Sequence, residues 1–334
     1  MRQDAKIVVL AYPDTFVTMS KEWICKFLPL VGLGTQEYIK AGHAALVLVE
    51  EETGEARYFD FGRYITQDGY GRVRSAQTDV ELAIPFKMRS VDGHLENLEE
   101  LLLWLEAHPE KTHGAGRLLA SVCDGVDHAL ALEHILALQQ RETVPYGAFK
   151  QQGSNCSRFV ADTILASTND AAIKKALRFN KMFTPSTVGN VEKATKGAIY
   201  TVYNQQVKLF TGSAFRENLV NYFHKKPKDL QTPPEAIVLN AQKLNGIGSG
   251  AWFEWAGSLE PGSGYHRIKR YNDLGVLDFD GVYHSEEFDP QMPFTFTYES
   301  HCMFCHVMQN GKKIKLSGIG QWETFSSSQK VRSA

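Results

Sequence analysis

The chain has 334 residues, 43% of them hydrophobic and 22% charged, with a formal net charge of -2. That balance is globular, long enough for two domains, and carries no global field that would favour nucleic acid or an anionic membrane as partner. Five cysteines, at 25, 123, 156, 302 and 305, are too irregularly spaced for a disulfide framework and point to a reducing compartment.

In chain order, "KIVVLAY" is an apolar, β-branched run and reads as a buried strand. It is too short for a secretory signal or a membrane span, so the expected location is cytoplasmic. "SKEWICKFLPL" has a Ser cap and helical spacing, and predicts a short helix. "GHAALVLVEEETGEARYFDFGRY" predicts a hairpin around the turn signal "EETG", its first arm apolar on both faces and therefore central. "ELAIPFKM" and "GRLLASV" are further strand candidates. "HLENLEELLLWLEA", "HALALEHILALQQR", "NCSRFVADTILAS" and "DAAIKKALRF" have the three- and four-residue apolar spacing of helices. "AIYTVYNQQVKLF" returns to strand.

The polar, Pro-rich stretch "HKKPKDLQTPPE", residues 224–235, reads as a boundary. Helical periodicity disappears beyond about residue 248, and the segments from "AWFEWAG" to "CMFCHVMQNGKKIKL" predict a β-meander with "QNGK" as a hairpin turn. The tail "SSSQKVRSA" reads as frayed. The expected fold class is α+β, with a mixed domain over 1–225 and a small all-β domain over 236–330.

The chemistry concentrates at "GSNCSRFVADTIL". Cys156 begins a helix whose core-facing stripe continues through Phe159, Val160, Thr163 and Ile164. Asn155 is a good cap. Unpaired N–H groups and the positive end of the helix dipole favour thiolate and can hold an oxyanion. A buried structural cysteine is the competing reading. A nucleophilic thiol needs a base, and the base needs an orienting acceptor. His43 opens the central strand. Asp60, between Phe59 and Phe61 on the returning arm, shares a face with His43 if the register sets His43 opposite either Asp60 or Gly62. Tyr146 and Gln152, with Asn155, are candidate oxyanion or substrate contacts.

"SHCMFCHV" offers His301, Cys302, Cys305 and His306. On a continuous strand, positions 302 and 305 face opposite ways, so no metal site is expected there. One of the two thiols then belongs in the core and the other on the opposite face. No cofactor is called for. The short basic clusters "FHKKPKD" and "YHRIKR" read as solvated faces rather than nucleic-acid contacts. The aromatic C-terminal part, with Trp252, Trp255, Tyr265, Tyr271 and Tyr283, reads equally as a binding surface or a small core.

A His at the start of a strand, an acid on the next strand and, far downstream, "VPYGAFKQQGSNCSRFVADTIL" resembles the circularly permuted papain-like hydrolases. The likeness is to the NlpC-type branch, which includes the YiiX-like and lecithin:retinol acyltransferase-like groups, and covers roughly residues 5–215. It implies a permuted papain-like domain and a cysteine peptidase or amidase with Cys156 as nucleophile, His43 as base and Asp60 as third residue, acting on a peptide or amide substrate. Thiol acyltransfer would use the same residues. A reading from another class is a non-catalytic scaffold with a binding β domain.

Overall fold

The computed structural model describes residues 2–19, 22, 27–148, 150–182, 185–225, 237–260 and 262–332. It divides into two compact units, one of residues 1–62, 71–75 and 82–230, the other of 63–70, 76–81 and 231–334.

The first unit contains β1 (Ala5–Tyr12), β2 (Val17–Thr18), β3 (Tyr38–Ile39), β4 (His43–Glu50), β5 (Ala56–Gly62), β6 (Tyr70–Arg74), β7 (Ser90–Val91), β8 (His94–Leu95), β9 (Leu118–Val126), β10 (Val144–Pro145), β11 (Ile199–Tyr203) and β12 (Gln206–Leu209). Its helices are α1 (Leu98–Ala107), α2 (Pro109–Thr112), α3 (His128–Gln139), α4 (Cys156–Ser167), α5 (Ala171–Asn180), α6 (Thr187–Lys193) and α7 (Ala214–Phe223). Eight strands form one sheet in the order β10-β6-β5-β4-β1-β9-β11-β12. β1 lies antiparallel between β4 and β9.

Every residue of β1 is buried, because both faces of the sheet are covered. Ile7 and Val9 join Ala44, Leu46 and Leu48 under α4 and α6, while Val8 and Leu10 join Ala45, Val47 and Val49 under α1. Side-chain alternation along a strand sorts these residues between two layers. Each fully buried aliphatic side chain is worth about 1.5–3 kcal/mol, so the run that reads as apolar on both faces is the one that two layers can hold.

The second unit contains β13 (Gln242–Leu244), β14 (Ala251–Ser258), β15 (Tyr265–Tyr271), β16 (Leu277–His284), β17 (Phe294–His301), β18 (Phe304–Gln309), β19 (Lys312–Gln321) and α8 (Trp322–Arg332). Its sheet runs β13-β14-β15-β16-β19-β18-β17. The Gln242 side chain bonds both the C=O and the N–H of Phe296, each at 2.7 Å, linking the two edge strands and nearly closing a barrel. Asn310 and Gly311 both have positive φ, as the "QNGK" hairpin requires. Buried Arg270 binds Asp79, Glu81 and Asp278 and so ties segment 76–81 to the sheet.

Several expectations are corrected. "ELAIPFKM" is not a strand. Only a short 3₁₀ turn, Val80–Leu82, touches it, and its alternating apolar residues, Leu82, Ile84, Phe86 and Met88, pack one by one under the sheet, with Pro85 lacking a ladder N–H. The strand sequence is not a simple meander, since β16 pairs with β19 and β17 goes to the edge. "SHCMFCHV" is not one continuous strand. It folds back on itself, with Cys302 and Met303 in the turn between β17 and β18. Cys302 and Cys305 are both buried in the same core, not on opposite faces. The tail is helical as far as Arg332. Most of "SKEWICKFLPL" and residues 226–235 of the expected linker lie outside the described residues.

Among the described residues no helix is long and apolar enough to cross a membrane. Nor do any three or more His, Cys, Asp or Glu side chains among them form a group that could hold a metal.

Candidate active site

The site lies in the first unit, where the end of one strand meets the start of one helix. Ala45 stands opposite Asp60, which brings His43 to the level of Gly62, the second of the two registers that keep both side chains on one face. The His43 Nε2 is 3.1 Å from Asp60 Oδ2, and both side chains are buried. Gly42 (φ 77°) turns the chain into β4. A Cβ there would sit 2.7 Å from the Thr187 hydroxyl and 3.0 Å from the Tyr12 carbonyl, so the residue before His43 is glycine by necessity.

Asp60 is held from three sides. Arg74 grips it through Nε to Oδ1 at 3.0 Å and Nη2 to Oδ2 at 2.6 Å, and Tyr58 donates its hydroxyl to Oδ2 at 3.1 Å. Arg74 Nη2 also donates to the Lys111 carbonyl at 3.0 Å. Arg74 pairs with Asp60 across the β5–β6 ladder, and Tyr58 is two residues along the same strand, hence on the same face. Burial on its own would raise the Asp60 pKa. The Arg74 charge and the bonds to His43 and Arg74 overcome it and hold the carboxyl below its usual range.

Cys156 is the first residue of α4, and Asn155 caps the helix by accepting from the Arg158 N–H at 2.9 Å. α4 packs on the face of the sheet opposite to Asp60, so thiol and carboxylate meet His43 around the end of β4. Burial opposes charge on both Cys156 and His43. Their mutual hydrogen bond and, for His43, the bond to Asp60 outweigh it. His43 is pushed up to about 9 and the thiol is lowered, assisted by the Ala44 N–H and the Ser157 side chain. With Nε2 on Asp60, the other ring nitrogen, Nδ1, is the one left for sulfur. The Tyr12 ring stacks on the imidazole at 6.3 Å between centroids. This arrangement favours a thiolate–imidazolium pair, the activated state of a nucleophilic cysteine.

A cavity of about 270 Å³ opens at the thiol and is lined by Cys156, Asn155, Tyr146 and Gly42 among others. Tyr146 lies flat on Phe61, at 5.9 Å and 3°. Gln152 is not brought to the cavity. It is exposed, in a left-handed turn (φ 56°), and its carbonyl accepts from Arg141. Sequence reasoning missed Arg74, Tyr58 and Tyr12. The pattern "YGRVR" after "RYFDFG" held a signal for Arg74, since a buried acid on one hairpin arm calls for a cation on the next.

Asp60→Asn keeps a hydrogen-bonding side chain but removes the charge facing the imidazolium. Turnover is expected to fall by about 10²- to 10⁴-fold with substrate binding nearly unchanged, and the His43 titration, followed by NMR, to move down from about 9. The folded value lies above the ordinary 6.5, so this pairing stabilises the fold fully below that pH and is lost as pH rises through about 9. An unmoved titration reassigns Asp60 to a purely structural role.

Residues 7–173, half of the chain, match the family model described as type VI secretion system effector TseH-like. Residues 241–319 match the DUF6695 C-terminal domain. A crystal structure of the type VI secretion system effector TseH is similar at 18% identity, over 62% of this chain and 98% of that one, with a TM-score of 0.41. No curated protein matches. On the first of these matches, the chain belongs to the TseH-like family of type VI secretion system effectors.

Proposed function

We propose that the chain is a cysteine hydrolase of amide or peptide bonds, built on a circularly permuted papain-like domain over residues 1–225, with Cys156, His43 and Asp60 as its triad and a separate β domain over 236–330. The observation that carries this is a single buried imidazole bonded on one side to a carboxylate at 3.1 Å and on the other to a thiol at a helix N-terminus. Cys156 thiolate attacks the carbonyl carbon, and the oxyanion forms beside the Cys156 and Ser157 N–H groups, for which the first turn of α4 supplies no intrahelical acceptor. Tyr146 lines the same cavity. The tetrahedral intermediate collapses as the C–N bond breaks and His43 gives its proton to the leaving amine. Neutral His43 then takes a proton from water, whose oxygen attacks the thioester, and Cys156 leaves as thiolate. Asp60, neutralised by Arg74, orients the ring through both steps.

The family description adds a setting. In that setting the hydrolase acts as an effector of a type VI secretion system.

The test is to trap the thioester. Acid quench during turnover of a chromogenic acyl ester should leave one acyl group on the peptide containing Cys156 and none on Cys156→Ala. Leaving-group release with the acyl group on another residue, or with none on the protein, contradicts the assignment.

A further inference from the structure

One short helix reaches both halves of the thiol–imidazole pair. α6 runs only from Thr187 to Lys193, yet Thr187 to Val191 are all buried. Val188 and Val191 belong to the core that also holds Cys156 and Ala44. Asn190, between them, is polar and 0% exposed, a placement that costs free energy unless the amide is bonded. Its amide is bonded at both ends. Nδ2 donates to the Ser157 carbonyl at 2.7 Å, and Oδ1 accepts from Nδ2 of Asn180, the last residue of α5, at 3.0 Å. The Ser157 carbonyl can only accept, which fixes which way round the Asn190 amide lies.

Ser157 follows Cys156 in the first turn of α4. A carbonyl has two lone pairs, so the bond from Asn190 comes in addition to the helix's own. The helix does not need it to form. What the bond adds is position. The apolar stripe of α4 presses on the sheet without direction, whereas a buried hydrogen bond has a preferred length and angle. At the other end of α6, the Thr187 hydroxyl stands against Gly42, the residue before His43, 2.7 Å from where a Cβ would be. α6 is itself held in place. Ser121 of β9 donates its hydroxyl to the Val191 carbonyl at 2.7 Å, and Ser186 caps the helix by accepting from the Gly189 N–H at 2.9 Å. Gly189 lets α6 lie so close to α5 that a Cβ there would fall 2.5 Å from Asn180 Oδ1.

We propose that α6 sets the separation of Cys156 and His43, with Asn190 as a positioning residue that fixes the place of the thiol through Ser157. This rests on Cys156 and His43 being the reactive pair. The shift needed is small, because misplacing a reacting group by about 1 Å costs about 10²-fold in rate.

The test is Asn190→Leu, which nearly keeps the volume and removes both bonds. Two readouts are followed: the pH profile of Cys156 alkylation by iodoacetamide, and kcat and KM for a chromogenic acyl ester. Alkylation below the ordinary thiol range should slow by about tenfold or more, and kcat should fall by about 10²-fold with KM unchanged. Thr163→Val is the control for a general loss of stability. It removes another buried side-chain bond of α4, to the Phe159 carbonyl at 2.8 Å, and should leave both readouts at wild-type values. If Asn190→Leu does not fold, Asn180→Ala, at a half-buried helix end, carries the test. It removes the donor that holds Asn190 and should move both readouts the same way by a smaller factor. Unchanged low-pH alkylation and kcat in the folded variant overturn the proposal and leave the reactive pair standing, and so does an equal loss in Thr163→Val. A wild type without low-pH reactivity at Cys156 removes the pair, and the proposal with it.

Discussion

Cys156→Ala is expected to lose about 10⁴-fold or more in turnover, the scale seen when a covalent nucleophile is removed, while the protein remains folded. The thiol is buried at the first turn of a helix whose cap, Asn155, and core stripe from Phe159 to Ile164 do not depend on sulfur. Deleting one sulfur atom there costs about 1 kcal/mol or a little more. The His43–Asp60 bond survives the change, since it uses Nε2. A structural cysteine gives the opposite pattern, in which activity persists and stability alone moves. Comparing turnover with the urea midpoint of the same variant separates the two.

Arg74→Met is the substitution expected to cost most in stability, about 3–5 kcal/mol. Arg74 and Asp60 side chains are 1% and 0% exposed, so removing the guanidinium takes the bidentate cation away from a carboxylate in the core, which keeps its bonds to His43 and Tyr58. The Lys111 carbonyl loses its donor as well. Asp60 then titrates higher, and the loss should be greatest near neutral pH, where the carboxylate is charged. The double variant Arg74→Met, Asp60→Asn removes both charges and should recover a good part of the loss in a denaturant titration. Equal destabilisation of the single and double variants contradicts this account and assigns the role of Arg74 to packing.

How much of this was legible in the sequence depends on how local each cause is. The helix at Cys156 could be read because its cap, stripe and start fall within a dozen residues. His43 and Asp60 could be set on the two arms of one hairpin because the turn between them is short, but whether they share a face depends on the register, which only the pairing of Ala45 with Asp60 fixes. The partner that fixes Asp60 as an anion, Arg74, lies on the next strand, and a single chain does not announce which residue will stand opposite. "ELAIPFKM" alternates like a strand, yet it joins no sheet ladder, and its backbone bonds at Lys87 and Met88 go to the Asn97 side chain and the Gly54 carbonyl. At "SHCMFCHV" a two-residue turn and a continuous strand have the same hydrophobic pattern, so the position of the turn emerges only when β17 and β18 pair. The helix of the tail is polar nearly all round and gives no stripe to read. The lining of the cavity draws on both Val17 and Tyr222, a proximity that nothing local encodes.

The central claim is that Cys156 and His43 form a thiolate–imidazolium pair. The most direct measurement is the rate of Cys156 alkylation by iodoacetamide as a function of pH, in wild type and in His43→Ala. The pair exists between the lowered pKa of the thiol and the imidazolium value of about 9. Wild type should therefore react at a rate that is already level below the ordinary thiol range, and His43→Ala should lose that low-pH reactivity and follow a single titration at or above it. A wild-type rate that rises only with an ordinary or elevated thiol pKa, and is unchanged by His43→Ala, contradicts the account.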